Sequence, residues 1–245
     1  MTYKGENFRE IAPGLILVGQ FGWLDTGVWL FHHESECFIL EMPDYDAEDG
    51  KPRAWDLVRQ YIEENNLHPK FISATHNHLD HFYCYPEFHD LFPSVPIIVH
   101  PSFFPREHVG KCVQPCFLEG GGTLGNAKPS VIVKNVPFYC YDGNLFETHL
   151  ASEPLFVLHV PKHSRSDQMF VFRGSIISGD WWIGERDPNP NRVPVSIIQD
   201  SISFLQDFCK ERNYVINNLF SVHANEFRRS INFHELMEET RKLKS

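Results

Sequence analysis

Three histidines and one aspartate fall within six positions in the stretch Ala74-Thr75-His76-Asn77-His78-Leu79-Asp80-His81-Phe82. An apolar core has no use for such a group, because buried imidazoles and carboxylates are costly without partners. A divalent cation does. The preceding run, Phe71-Ile72-Ser73-Ala74, is led in by Pro69 and reads as a strand. Side chains two apart in extended chain point the same way, so His76 and His78 are expected to share a face and grip one ion. Asp80 and His81 follow where the chain leaves the strand, and a turn there would swing both toward a second point nearby.

Two neighbouring ions need more donors than this stretch supplies. They share a bridging carboxylate or water, and each keeps open positions for substrate. Later segments offer candidates at strand ends. Leu158-His159-Val160-Pro161-Lys162-His163-Ser164 places His163 past a proline in a loop, whereas His159 lies inside the strand pattern and reads as a structural or supporting residue. Ile177-Ser178-Gly179-Asp180 puts an aspartate just after a glycine that permits close backbone approach. Phe220-Ser221-Val222-His223 ends the last strand with a histidine. Singly each is weak. Together they fall in strand-end loops, where an α/β scaffold places its site.

The run from His76 to His81 resembles the His-x-His-x-Asp-His signature of the metallo-β-lactamase superfamily, and the later segments resemble that family's other metal motifs in order. The resemblance implies that His76, His78 and His163 hold one metal, that Asp80, His81 and His223 hold a second, and that Asp180 bridges them. It implies an αββα sandwich, two β-sheets face to face with helices on both outer faces, and one metallo-β-lactamase-like domain over residues 1–245. Three positions depart from the pattern. Lys162 and Val222 stand where glycine is usual before a ligand histidine, and Glu41-Met42-Pro43 replaces an acidic residue closely followed by glycine. Lys162 is expected to be solvated, the alternative being contact with an anionic substrate.

The elements that must carry these residues are readable. Strands are expected at Leu15–Val18, Val28–Phe31, Cys37–Leu40, Val95–Val99, Val131–Val133, Asn144–Leu150, Pro154–Val160, Gln168–Phe172, Ser175–Ile177 and Val215–Ser221. Helical spacing appears in Trp55, Val58, Tyr61 and Ile62, over Pro86–Leu91, over Ile197–Lys210 and over Phe233–Leu243. Residues 101–125, with Pro105, Pro115 and Gly120-Gly121-Gly122, read as a long loop. The aromatic residues Phe21, Trp23, Phe82, Tyr83, Trp181 and Trp182 flank the candidate loops and could wall a pocket for an apolar group, or belong to the core.

Composition bounds the function. With 245 residues, 42% of them hydrophobic, the chain can bury a sizeable core. A formal net charge of -10 argues against nucleic acid or an anionic membrane as the main partner. The N-terminus is polar, no stretch is long enough to span a bilayer, and six scattered cysteines suit free thiols, so a cytoplasmic protein is expected. The donors are all nitrogen or oxygen, which suits Zn²⁺, Fe²⁺ or Mn²⁺ without choosing among them; two divalent ions, zinc first and iron or manganese otherwise, are expected. The leading expectation is a dinuclear hydrolase that uses metal-activated water on a small ester, lactone, thioester or β-lactam-like substrate, with Asp80 orienting the nucleophile. The alternatives are an iron-dependent oxygenase or oxidoreductase on the same fold and a non-catalytic metal-binding protein.

Overall fold

A computed structural model describes residues 7–43, 52–105, 128–180 and 193–243. The first sheet contains β1 (Arg9–Ala12), β2 (Leu15–Phe21), β3 (Thr26–His33), β4 (Glu36–Leu40), β5 (His68–Ser73), β6 (Ile97–Val99), β7 (Val131–Val133) and β8 (Val136–Cys140), in the spatial order β1-β2-β3-β4-β5-β6-β8-β7. The second contains β9 (Leu145–Leu150), β10 (Glu153–His159), β11 (Gln168–Phe172), β12 (Ser175–Ile177), β13 (Asn218–Phe220) and β14 (Phe227–Arg229), in the order β14-β13-β12-β11-β10-β9. Both are mixed: β4, β5, β6 and β8 run parallel in the first, as do β12 and β13 in the second.

Strand periodicity explains how the layers stack. Along β3, Trp29 and Phe31 point into the cluster between the sheets, while Val28 and Leu30 point to the opposite face. Along β11, Phe170 and Phe172 meet Trp29 and Phe31 across the gap, and Met169 and Val171 face outward. Each sheet is therefore apolar on both faces, and each needs a helical cover. The helix α1 (Ala54–Glu64) covers the first through Leu57, Val58 and Ile62, after which come two short helices, α2 (Leu79–Phe82) and α3 (Tyr85–Leu91). The helices α4 (Val195–Glu211) and α5 (Phe233–Leu243) cover the second, with Ile198, Ile202, Leu205, Phe208, Phe233 and Met237 in one cluster. The result is the four-layer αββα sandwich expected from the sequence.

β1, β8 and β14 lie outside the strands expected from sequence. In Val136-Pro137-Phe138-Tyr139-Cys140 the burial alternates cleanly, but Pro137 disguises the pattern because it cannot donate to a ladder. Of the expected loop over 101–125, Pro101–Phe103 forms a 3₁₀ turn, and residues 106–127 lie outside the described residues. Cys37, Cys84, Cys140 and Cys209 are free thiols; Cys112 and Cys116 lie outside the described residues. No described helix is long and apolar enough to cross a membrane.

At the end of β10 the His159 ring stacks on His100, with centroids 3.4 Å apart and planes inclined by 10°. His159 Nε2 donates to the Arg165 carbonyl at 2.9 Å, and the Ser102 hydroxyl lies 2.7 Å from His100 Nδ1. Burial, reinforced by His159, pushes the His100 imidazole down to about 3. Burial also lowers His159. Below an ordinary imidazole value near 6.5 the unfolded chain therefore binds protons that the folded chain refuses, so stability falls as pH drops from about 6.5 toward 3, by up to about 1.4 kcal/mol per pH unit for His100. Urea denaturation at pH 7 and pH 5 should show a smaller stability loss for His100→Phe than for the wild type. Parallel losses would refute this account.

Candidate metal centre

β5 stops at Ser73, so His76 and His78 do not ride on a strand as expected. Residues 75–78 bend, and α2 starts immediately with His78 as its N-cap. That bend, rather than the pleat, brings His76 Nε2 within 2.8 Å of His78 Nδ1. The first turn of α2 then presents Asp80 and His81 together, with His81 Nε2 3.0 Å from Asp80 Oδ2.

The remaining candidates arrive from the second sheet. β12 and β13 are parallel, with Ile177 opposite Phe220. Asp180 and His223 each lie three residues beyond that pair, so register alone delivers both at one edge. His163 comes from the loop between β10 and β11. The result is two groups of potential donors: His76, His78, His163 and Asp180, and Asp80, His81 and His223, with the ligand atoms of each group within 4.8 Å of one another.

Asp180 faces both groups. Its Oδ2 lies 3.8 Å from His76 Nε2 and 3.2 Å from His163 Nε2. Its Oδ1 lies 2.8 Å from His81 Nε2 and 3.2 Å from His223 Nε2. His81 Nε2 and Asp180 Oδ1 are close and fully buried, yet they do not meet with hydrogen-bond geometry. Misaligned donors that converge in this way fit a common cation better than a hydrogen-bonded pair. Burial alone would depress the His81 imidazole, but Asp180 and Glu41 outweigh it and hold His81 well above its usual value. Burial alone would raise the Asp180 carboxyl, but His81 and His76 hold it well below the usual range. Burial, with His81 beside it, holds His76 low.

Several supporting residues give no clear sequence signal. Glu41, at φ +81°, is fully buried; it accepts from the Thr75 amide at 2.8 Å and lies 3.3 Å from His81 Nδ1. A carboxylate behind an imidazole fixes ring orientation and raises its basicity as a ligand. Asp167 organises the His163 loop. Its Oδ2 accepts from the amides of Lys162, His163 and Ser164 at 2.9, 2.5 and 2.7 Å, and its Oδ1 accepts from the Ser164 hydroxyl at 2.8 Å. Gln168 donates to the Ala74 carbonyl at 2.7 Å and accepts from the His100 amide at 2.8 Å and the Tyr141 hydroxyl at 2.7 Å. Thr26 Oγ1 lies 3.4 Å from Asp80 Oδ2 and 3.5 Å from His223 Nδ1. None of these contacts shows in the spacing of the residues: Asp167 acts through a local fold-back, Glu41 through the pairing of β4 with β5, and the contacts of Gln168 and Thr26 need chain segments remote in sequence.

The positions that depart from the signature have local explanations. Val222 is buried between the sheets, and its carbonyl accepts from the Gly27 amide and from Trp29 Nε1 at 3.1 and 3.0 Å. A Cβ at Gly27 would lie 2.5 Å from that carbonyl, so the close approach requires glycine there. Lys162, expected in solvent, is only 6% exposed. Of the flanking aromatics, Phe21 is buried in the core, and Phe82 packs against Tyr85, Phe103, Phe104 and Phe138. Trp23 and Tyr83 are exposed, and Trp181 and Trp182 lie outside the described residues.

Solved structures with this architecture are metallo-β-lactamase-fold proteins. A metallo-β-lactamase from Pontibacter korlensis superposes with a TM-score of 0.63 over 97% of this chain and 98% of its own, at 11% identity. The DIM-1 metallo-β-lactamase gives 0.61 over 98% and 97%, at 12% identity. A metallo-β-lactamase family protein from Thermus thermophilus gives 0.59 over 96% and 79%, at 16% identity. No protein-family model and no curated protein matches the sequence. The chain has the metallo-β-lactamase fold, with His76, His78, His163 and Asp180 clustered as that fold's metal motifs would have them.

Proposed function

We propose that the chain is a metal-dependent hydrolase holding two divalent cations, zinc first among them. His76, His78 and His163 would hold one, Asp80, His81 and His223 the other, and Asp180 both. The observation that carries this reading is the division of labour at Asp180, one oxygen facing each histidine group. When bound, such cations supply Lewis acidity that polarises a carbonyl and makes water a competent nucleophile near neutral pH.

The protein's own groups do the rest. Burial works to raise the Asp80 carboxyl, but the adjacent His81 imidazole, 3.0 Å from Oδ2, more than offsets it, so Asp80 stays ionised at neutral pH. As a carboxylate it can accept a hydrogen bond from the attacking water and orient it. Glu41 and Thr75 hold His81 and His76 in place from behind. The substrate class is a small molecule with an ester, lactone, thioester or β-lactam carbonyl. Leu79, exposed between His78 and Asp80, and Trp23 and Leu24, exposed on the β2–β3 turn, support an apolar substituent. That turn is tied to the site by Gln20, which donates to the carbonyls of both His223 and Asp25.

Elemental analysis of the purified protein, followed by a panel of those four carbonyl classes, tests the reading. Two zinc ions per chain with turnover of one class are expected; a single iron with none turned over would replace it. Asp80→Ala should abolish turnover while most of the metal at the His76, His78 and His163 group stays bound. Full activity in that variant would sink the role given to Asp80.

A further inference from the structure

Asn77 stands between His76 and His78, at a position that the signature leaves open. Its backbone and its side chain both reach the loop that carries His163. The Asn77 amide donates to Ser166 Oγ at 3.2 Å, and Ser166 Oγ donates back to Asn77 Oδ1 at 3.0 Å. Asn77 Nδ2 donates to the Phe103 carbonyl at 3.0 Å, in the 3₁₀ turn after β6. Ser166 is buried, and its hydroxyl lies 3.0 Å from that of Ser164, which donates to Asp167. Asp167 in turn accepts from the His163 amide. An unbroken chain of hydrogen bonds therefore runs from the residue between His76 and His78 to His163.

β5 ends at Ser73, so sheet pairing does not hold the bend that carries His76 and His78. Two links beyond the strand take its place. The Gln168 amide donates to the Thr75 carbonyl at 2.7 Å, and Ser166 pairs with Asn77. These links lie two residues apart on both segments and bracket His76. Asn77 is exposed. Water can satisfy an exposed amide, so hydrogen bonds there add little net stability. Their consequence is positional. The imidazoles that this pair holds in register come from different sheets, with His163 Nε2 3.3 Å from His78 Nδ1.

We propose that Asn77 is a positioning residue. Through Ser166 it fixes the bend of His76 and His78 against the His163 loop, so that the three histidines are already set for one cation before it arrives. This rests on the metal-binding reading above. Asn77 is not itself a ligand; it acts through the histidines on either side. Donors held in place by a supporting shell bind a cation more tightly, and loss of such support lowers affinity by about 10–100-fold.

The test is zinc titration of the metal-free full-length protein against a chromogenic chelator, for the wild type, Asn77→Ala, Ser166→Ala and the double variant. Asn77→Ala should weaken one bound zinc ion at least about tenfold, and any second ion by less than about threefold. The metal-free melting temperature should stay within about 4 °C of the wild type, the scale of 1 kcal/mol in a chain of this size. Because the two side chains make one link, the double variant should bind zinc no more weakly than Ser166→Ala alone. Unchanged zinc affinity in Asn77→Ala, equal weakening of two ions, or a larger fall in melting temperature would overturn the proposal, the last because Asn77 would then be merely structural. Losses that multiply in the double variant would overturn it as well. Should buried Ser166 not tolerate alanine, Asn77→Ala decides alone by the same zinc and melting criteria. Wild-type protein that takes up no zinc, iron or manganese would instead overturn the metal reading, and this inference with it.

Discussion

Asp180→Ala is expected to leave a protein that retains less than one zinc ion per chain after dialysis and loses turnover by at least about 10³-fold, equivalent to roughly 4 kcal/mol of barrier. The reason is that Asp180 faces both histidine groups at once. Removing any one histidine deprives a single group of one donor, whereas removing this carboxylate deprives both and leaves the buried His81 ring without its 2.8 Å neighbour. Elemental analysis and turnover on the responsive substrate read the two effects separately. Asp180→Asn keeps the volume and one oxygen, so it should keep the fold but still lose metal. Unchanged zinc content in either variant would be incompatible with a shared carboxylate at this position.

The second large effect is expected at Asp167, which touches no proposed substrate position. Asp167→Ala removes the acceptor of three backbone amides and one hydroxyl in a buried loop. Buried donors left unsatisfied cost about 1–3 kcal/mol each, and water relieves part of that. A net loss of about 3–5 kcal/mol is the expected scale, or roughly 10 °C in melting temperature for a chain of this size. Asp167→Asn retains one acceptor oxygen and should lose about half as much. Because the three amides belong to Lys162, His163 and Ser164, the Ala variant should also bind zinc more weakly. A melting temperature within about 2 °C of the wild type, less than the shift expected from 1 kcal/mol, would show that the loop does not depend on Asp167.

The contrast between these two residues shows what the sequence could convey. Asp180 was legible because its chemistry, its preceding glycine and its apolar strand sit together in a few positions. The His76–His81 cluster was legible for the same reason, although the bend that shapes it was not, since a strand and a bend share the same local apolar lead-in. Asp167 was illegible because its role is to fold back on amides three to five residues earlier, and Ser-Asp-Gln reads as an ordinary polar turn. Glu41 and Gln168 reach groups that become neighbours only once β4 pairs with β5 and the second sheet docks. The burial of Lys162 was missed for a related reason: its amine lies against Gly179, which is remote in sequence. β8 was lost to its proline, which a helix-or-strand reading treats as a break.

The donors divide unevenly along the chain. His76, His78, Asp80 and His81 leave the first sheet, and His163, Asp180 and His223 leave the second. Each group mixes the two sources, so neither sheet carries a complete coordination set by itself. A cation held by either group is therefore a cross-link between the two halves of the sandwich, placed at the edge where the backbones of Gly27 and Val222 already meet. Its binding free energy enters the stability of sheet-on-sheet docking by mass action. In such an arrangement catalysis and cohesion draw on the same bonds, and a substitution that loosens the metal also loosens the join.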